Sequence, residues 1–181
     1  MKSSAELFAQ LQALGAGEFE HLNGSLEAHL RGVEAMLRSW GASETLCAAG
    51  LYHAVYGTDG FNPSLTSLAG RQDIADLIGA EAEALTYLFG ACNRKAFYPR
   101  IGTPSQLLFV DRFSNSEYEI GQDQLALLCE LILANELEIA SNSDEFRAQY
   151  GSALSRLFER MTGLVSKAGF DAYRRILRGE V

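Results

Sequence analysis

Basic runs and long apolar runs are both missing from this 181-residue chain. Its 15 basic residues face 23 acidic ones, for a formal net charge of −8. A nucleic-acid groove or an anionic membrane surface is therefore not an expected partner. No uncharged stretch approaches the roughly 18–20 apolar residues of a membrane span. The opening MKSSAELFAQLQALG carries Glu6 in an amphipathic pattern, where a secretory leader needs a continuous apolar stretch. Cysteine is scarce: Cys47, Cys92 and Cys129 lie far apart in apolar segments. That excludes a disulfide framework or a cysteine-based zinc site and reads as a reduced, cytoplasmic protein. P-loop, dinucleotide-binding and nucleophile-elbow signatures are absent as well. Only Pro63, Pro99 and Pro104 interrupt the chain, so the segments between them are free to be helical.

What is present is a chain 48% apolar and 21% charged, enough to bury a core. Leu7, Phe8, Leu11 and Leu14 mark one face of a helix over 4–14. Ser25 is placed to cap a second helix, in which Leu26, Leu30, Val33, Leu37 and Trp40 form a buried stripe up to Gly41. Ser43 is placed to cap a third, over 43–56, whose apolar character nearly all round makes it the central buried helix. Residues 57–70 read as a loop rich in Gly, Ser, Asn and Pro. Helices follow over 71–78 and 80–96. Another starts at Gly102–Thr103–Pro104 and runs into SQLLFVDRFSNSEYEI. Helices over 122–140, 143–167 and 169–178 close the chain. No sustained period-2 alternation calls for a strand, and no linker or repeat divides the sequence. The expectation is an all-α, single-domain helical bundle over residues 1–181. Leu154, Leu157, Phe158, Met161, Leu164 and Val165 form a stripe that fits core packing or the face of a homodimer.

All three histidines, His21, His29 and His53, fall in the first 53 residues. His29 lies 12 residues before Gly41 and His53 lies 12 after it. In an antiparallel hairpin pivoting on Gly41, both stand about 18 Å from the turn and at one height. Two imidazoles converging in an apolar interior suit a shared metal ion. They equally suit a hydrogen-bonded pair within the core. A metal would need a carboxylate, and Asp111 in LLFVDRFSN, preceded by apolar residues, is the best placed. Its other natural partner is the adjacent Arg112. His21 precedes Gly24, outside the second helix, and spacing alone does not bring it to the pair. Thr58 in the Gly57–Gly60 turn, and Arg71, Arg94, Lys95 and Arg100, are candidates for binding an anion, or else an ordinary turn and a solvated basic face.

The run HLRGVEAMLRSWGASETLCAAGLYH resembles the opening of HD-superfamily metal-dependent phosphohydrolases. The nearest pattern is the hydrolase domain of RelA/SpoT-type alarmone enzymes. RQDIADLIGAEAEALTYLFGAC (71–92) and VDRFSN (110–115) extend the resemblance, which spans about 21–120. It implies that His29, His53 and Asp111 hold a divalent transition metal (manganese, iron or zinc), with His21 as a fourth ligand or a substrate contact. It also implies a small phosphorylated or nucleotide-like substrate. Three departures stand out. Ala54 replaces the Asp of the His-Asp pair, and Gly57 and Thr58 replace the Glu-Asp pair that supports water activation in the alarmone hydrolases. The expected functions are accordingly an HD-like hydrolase, a degenerate HD-like module that binds a ligand or partner, or a non-haem iron oxygenase using two histidines and a carboxylate.

Overall fold

Serine hydroxyls start the two helices on which the rest of the first half is built. Ser25 Oγ accepts from the Ala28 amide at 3.2 Å and begins helix α2, Leu26–Ser39. Ser43 Oγ accepts from the Leu46 amide at 3.2 Å and begins α3, Glu44–Tyr52. Between them the chain reverses through a Schellman ending. Gly41 takes φ +78°, its amide donates to Arg38 O, and the Ala42 amide donates to Leu37 O. Only glycine adopts that left-handed turn without strain. The computed structural model describes the backbone of residues 2–18, 20–21, 24–103 and 107–180, and the side chains of these except 18, 20, 21 and 24.

The chain divides into two compact units, Met1–Gly90 and Ala91–Val181. In the first, α1 (Ser4–Ala13) opens on a capping box between Ser3 and Glu6. It is followed by the paired two-residue strands β1 (Glu20–His21) and β2 (Gly24–Ser25). Leu26, Leu30, Val33 and Leu37 of α2 pack on α3, in which every residue from Leu46 to Tyr52 is buried. At Gly50 the two helices approach so closely that a Cβ there would stand 2.5 Å from Leu37 Cδ1. The Tyr52 hydroxyl donates to Leu7 O at 2.7 Å and ties α1 to α3. After α3 come a compact loop, α4 (Arg71–Ile78) and α5 (Ala80–Ala91).

The second unit begins as α5 ends. Helix α6 (Arg94–Phe97) is capped by the Asn93 side chain, which accepts from the Ala96 amide at 3.0 Å. An antiparallel hairpin follows, β3 (Leu108–Asp111) with β4 (Ser116–Glu119). Main-chain bonds from Asn93 N to Val110 O and from Arg112 N to Ala91 O hold residues 91–93 against β3. Helix α7 (Gln122–Asn142) is buried over most of its length and packs on α8 (Asp144–Arg160) and α9 (Lys167–Arg178). Its buried Glu130 accepts from Ser166 N at 2.7 Å and Ser166 Oγ at 2.5 Å, fixing the start of α9.

The all-α class holds, with differences in detail, the first being the short strand pair β1–β2 where no strand is expected. The helix expected from Gly102 onward is a hairpin at 108–119, and Pro104 itself lies outside the described residues. Short β3 alternates half-buried and buried positions, and Phe109 packs at 5.2 Å from Phe97 and 5.5 Å from Tyr118. Helix α3 stops at Tyr52, four residues early. The segment 80–96 is broken by the 91–93 pairing into α5 and α6, and the expected 143–167 helix ends at Arg160. Of the expected stripe, Leu154, Leu157, Phe158 and Met161 are buried, while Leu164 and Val165, beyond the end of α8, are half-buried. Among the described residues, no helix is long and apolar enough to cross a membrane.

Gly50→Ala is expected to destabilise the chain by about 1–3 kcal/mol, because Leu37 is fully buried and has little room to turn aside. A lowered urea midpoint with an unchanged slope is the expected reading.

Candidate functional site

The Gly41 turn brings His29 and His53 together. His29 sits on the buried face of α2 at 5% exposure, and His53 caps the C-terminus of α3 at 2%. Their Nε2 atoms are 3.3 Å apart, with the rings edge to face at 86°. Phe89 of α5 closes the other side of His53, with centroids 4.9 Å apart at 77°. The tautomer of His53 follows from its second nitrogen. Nδ1 lies 2.7 Å from Gly50 O, and a carbonyl can only accept, so Nδ1 carries the proton. That bond also satisfies a carbonyl left open by the helix end. In neutral His53 the other nitrogen, Nε2, is then the acceptor, which makes His29 Nε2 the donor across the 3.3 Å contact.

This arrangement fits two ligands of a divalent transition metal. Two nitrogens about 2.05 Å from a tetrahedral ion stand about 3.3 Å from each other, the separation seen here. A ligand histidine ordinarily donates its other nitrogen to a carbonyl or carboxylate, as His53 does to Gly50. Binding would require the His29 proton to leave Nε2. Among the described residues, no group of three or more His, Cys, Asp and Glu side chains is placed to hold an ion. The His21 side chain lies outside the described residues, and its backbone forms part of β1.

Asp111 belongs to the second unit, as the last residue of β3 and 2% exposed. Its Oδ1 accepts from the amides of Phe113 at 2.7 Å and Ser114 at 3.0 Å, and Tyr118 Oη makes a long contact of 3.5 Å to Oδ2. The carboxylate thus organises the hairpin turn, in which Asn115 takes the left-handed φ of 55°. VDRFSN, expected to lie in a helix, is here the end of a strand and a turn. The Arg112 guanidinium lies 4.4 Å from the Phe113 ring centroid.

The stretch after His53 shows what the three replacements do. Ala54 is 2% exposed. Gly57 has φ +71°, and a Cβ there would lie 2.9 Å from Asn62 O, 3.2 Å from Pro63 O and 3.3 Å from Phe61 O. All three obstacles are main chain. Thr58 pairs with Phe61 through two backbone bonds, and its buried Oγ1 accepts from the Gly60 amide at 3.3 Å. The loop is folded too tightly for an acidic side chain at 57.

Tyr56, Glu83 and the orphaned hydroxyl of Thr86 were not singled out by sequence. The Tyr56 hydroxyl donates to Glu83 Oε1 at 2.9 Å. Arg71 grips both oxygens of the same carboxylate, at 2.7 and 2.8 Å, and stacks 3.9 Å over Tyr87. Burial, and then the Glu83 carboxylate, push the Tyr56 phenol well above its usual range. The bond to Glu83, set against the cost of burial, raises Arg71. In the second unit Arg94 holds buried Glu136 at 2.9 Å. Arg71 and Arg94, two of the candidate anion-binding residues, thus already serve internal carboxylates, and Arg100 pairs with Glu117 of β4 at 3.0 Å. The sequence signal for Glu83 was available: an acid within the apolar run AEALTYLFG, three residues before a threonine.

Gly57→Ala is expected to cost about 3 kcal/mol or more, since left-handed backbone and rigid carbonyls act together. Tyr56→Phe is expected to cost about 1 kcal/mol near neutrality. A phenol raised in the folded state stabilises fully below its unfolded pKa, about 10, and that contribution fades as pH rises beyond it. Unfolding measured from pH 8 to 11 should therefore show a shallower alkaline decline in Tyr56→Phe than in the parent.

Residues 10–94 match a domain of unknown function (DUF6817). No curated protein matches the chain. Among solved structures, it is similar to a metazoan ortholog of SpoT, described as hydrolysing ppGpp and playing a role in starvation responses. The TM-score is 0.65 at 14% identity, covering 99% of this chain and 97% of that one. At that identity the likeness is one of fold, and it spans both chains almost completely. This chain therefore has the mostly helical fold of that ppGpp hydrolase.

Proposed function

We propose that this protein is an HD-like metal-binding protein acting on a small phosphorylated or nucleotide-like molecule. The observation that carries the reading is the 3.3 Å approach of His29 Nε2 and His53 Nε2, on a fold like that of a ppGpp hydrolase. His29 and His53 supply two imidazole ligands. Asp111 is assigned as the carboxylate ligand on the sequence resemblance alone, and His21 is assigned a further position on the same ground. A bound manganese, iron or zinc ion would supply Lewis-acid polarisation and water activation. The chain's own part is to hold His53 in the acceptor tautomer through Gly50 O and to shield the pair from bulk water with Phe89. A substrate anion would meet Thr58, Arg71 and Arg94, the two arginines shared with Glu83 and Glu136.

One observation favours a second reading. The main chain around Gly57 excludes the acid that alarmone hydrolases carry there, and Ala54 removes another. A module that binds the same class of ligand without turning it over is consistent with both losses.

Metal analysis of protein purified without chelator, followed by assay against nucleoside polyphosphates, separates the readings. The hydrolase reading expects about one first-row transition metal per chain, phosphate release, and loss of both in His29→Ala and His53→Ala. Metal and nucleotide binding without phosphate release would support the binding module. Absence of metal, with thermal stability indifferent to chelator, would overturn the metal reading.

A further inference from the structure

The hairpin of the second unit leaves one edge open. Main-chain bonds from Asn93 N to Val110 O and from Arg112 N to Ala91 O turn Val110 and Arg112 toward residues 91–93. In an antiparallel ladder a residue's N–H and C=O lie on one side of its strand, and that side alternates along the chain. Phe109 and Asp111 therefore bond to β4, opposite Tyr118 and Ser116. By the same alternation the N–H and C=O groups of Glu117 and Glu119 turn away from β3. Among the described residues β4 pairs with β3 alone, so these main-chain groups face outward unpaired. Side chains follow the pleat. Phe109 and Asp111 are buried on the inner face, which puts Glu117 and Glu119 on the outer face, where both are exposed. Residues 114–124 hold Glu117, Glu119 and Asp123 and no basic residue. Arg100 reaches Glu117 at 3.0 Å, while the Glu119 carboxylate has no partner among the described residues.

We propose that β4 is a docking edge that takes up an extended basic peptide as an added antiparallel strand. Main-chain bonds supply affinity in such an addition, and alternate side chains supply specificity. The residues set directly opposite Glu117 and Glu119 share their outer face, so lysine or arginine there meets a carboxylate. The residue between them turns to the inner face beside Tyr118, which is half-buried against Phe109 at 5.5 Å, and an apolar side chain fits there. The pattern recognised is thus basic, apolar, basic. A second copy of this chain is a poor occupant. Two β4 strands paired about Tyr118 would set glutamate against glutamate, and like charges directly opposite are destabilising. The formal net charge of −8 favours the encounter with a basic partner. Nothing in this inference depends on the metal reading.

The test uses the full chain and a short fluorescein-labelled peptide of alternating lysine and valine, read by anisotropy and by amide hydrogen exchange. In the free protein the amides of Glu117 and Glu119 should exchange fast, while those of Ser116 and Tyr118 are held by β3. Saturating peptide should slow the two glutamate amides about tenfold or more. Glu119→Gln removes the charge and keeps the N–H, and should weaken binding about two- to fivefold. Glu119→Pro also removes the outward N–H but leaves the bonds of Tyr118 to Phe109 in place. It should weaken binding by about tenfold or more. In the antiparallel register the peptide's lysine amides face β4. N-methylation of those amides should abolish binding, and N-methylation of the valine amides should leave it unchanged. Binding that survives lysine N-methylation, or equal weakening in Glu119→Gln and Glu119→Pro, would mean that charge alone holds the peptide and would overturn the proposal. No binding by the parent protein would overturn it as well. So would protection of Glu117 and Glu119 that rises with protein concentration in the absence of peptide, the mark of a second copy on the edge.

Discussion

Helix α3 ends one residue before His53, and the carbonyl of Gly50 is thereby left without the amide a longer helix would give it. The His53 ring turns back and fills that place at 2.7 Å. One hydrogen bond both caps the helix and sets which His53 nitrogen carries the proton. In the neutral ring, with Nδ1 donating to Gly50 O, Nε2 is the accepting nitrogen, and the Gly41 reversal brings it to His29. Gly50 serves this arrangement twice, since its lack of a side chain lets α2 approach α3 closely enough for the rings to meet. The interior accepts two imidazoles because each has a partner, which is the condition for burying polar groups.

The same rule governs the acids. Glu83 takes Tyr56 and Arg71, Glu136 takes Arg94, and Glu130 takes the start of α9. These carboxylates join elements within each unit, with every charge answered by a donor. Breaking such a bond by removing one partner costs more than the bond is worth, because the survivor stays buried. The contrast sharpens the position of Thr86, whose hydroxyl is left open where the glutamates are satisfied. The rebuilt loop at Gly57 points the same way. Where the alarmone hydrolases are expected to carry an acid, the main chain around Gly57 is folded on itself and leaves no room for one.

The encounter of His29 and His53 was legible because a hairpin converts sequence offset into height, and Gly41 marked the pivot. Ser25 and Ser43 as caps were legible for a similar reason: hydroxyls before apolar runs have few other uses. The burial of Asp111 also followed from the apolar residues before it. Its setting did not. Four residues of β3 give two inward positions, Phe109 and Asp111, too few for alternation to stand out against a helical pattern in a chain otherwise helical. The pairing that decides the matter comes from residues 91–93 and 116–119, and no local pattern in 108–111 encodes it. Thr86 escaped notice because a hydroxyl on a helix apolar on several sides leaves no periodic trace. Only the missing partner reveals it.

The central claim is that His29 and His53 bind one ion together. X-ray absorption at the cobalt edge of the cobalt-loaded protein tests it most directly. The account predicts nitrogen ligands at about 2.0–2.1 Å with outer-shell scattering from two imidazoles, reduced to one in His29→Ala. Cobalt bound without imidazole scattering, or scattering unaltered by His29→Ala, would contradict it.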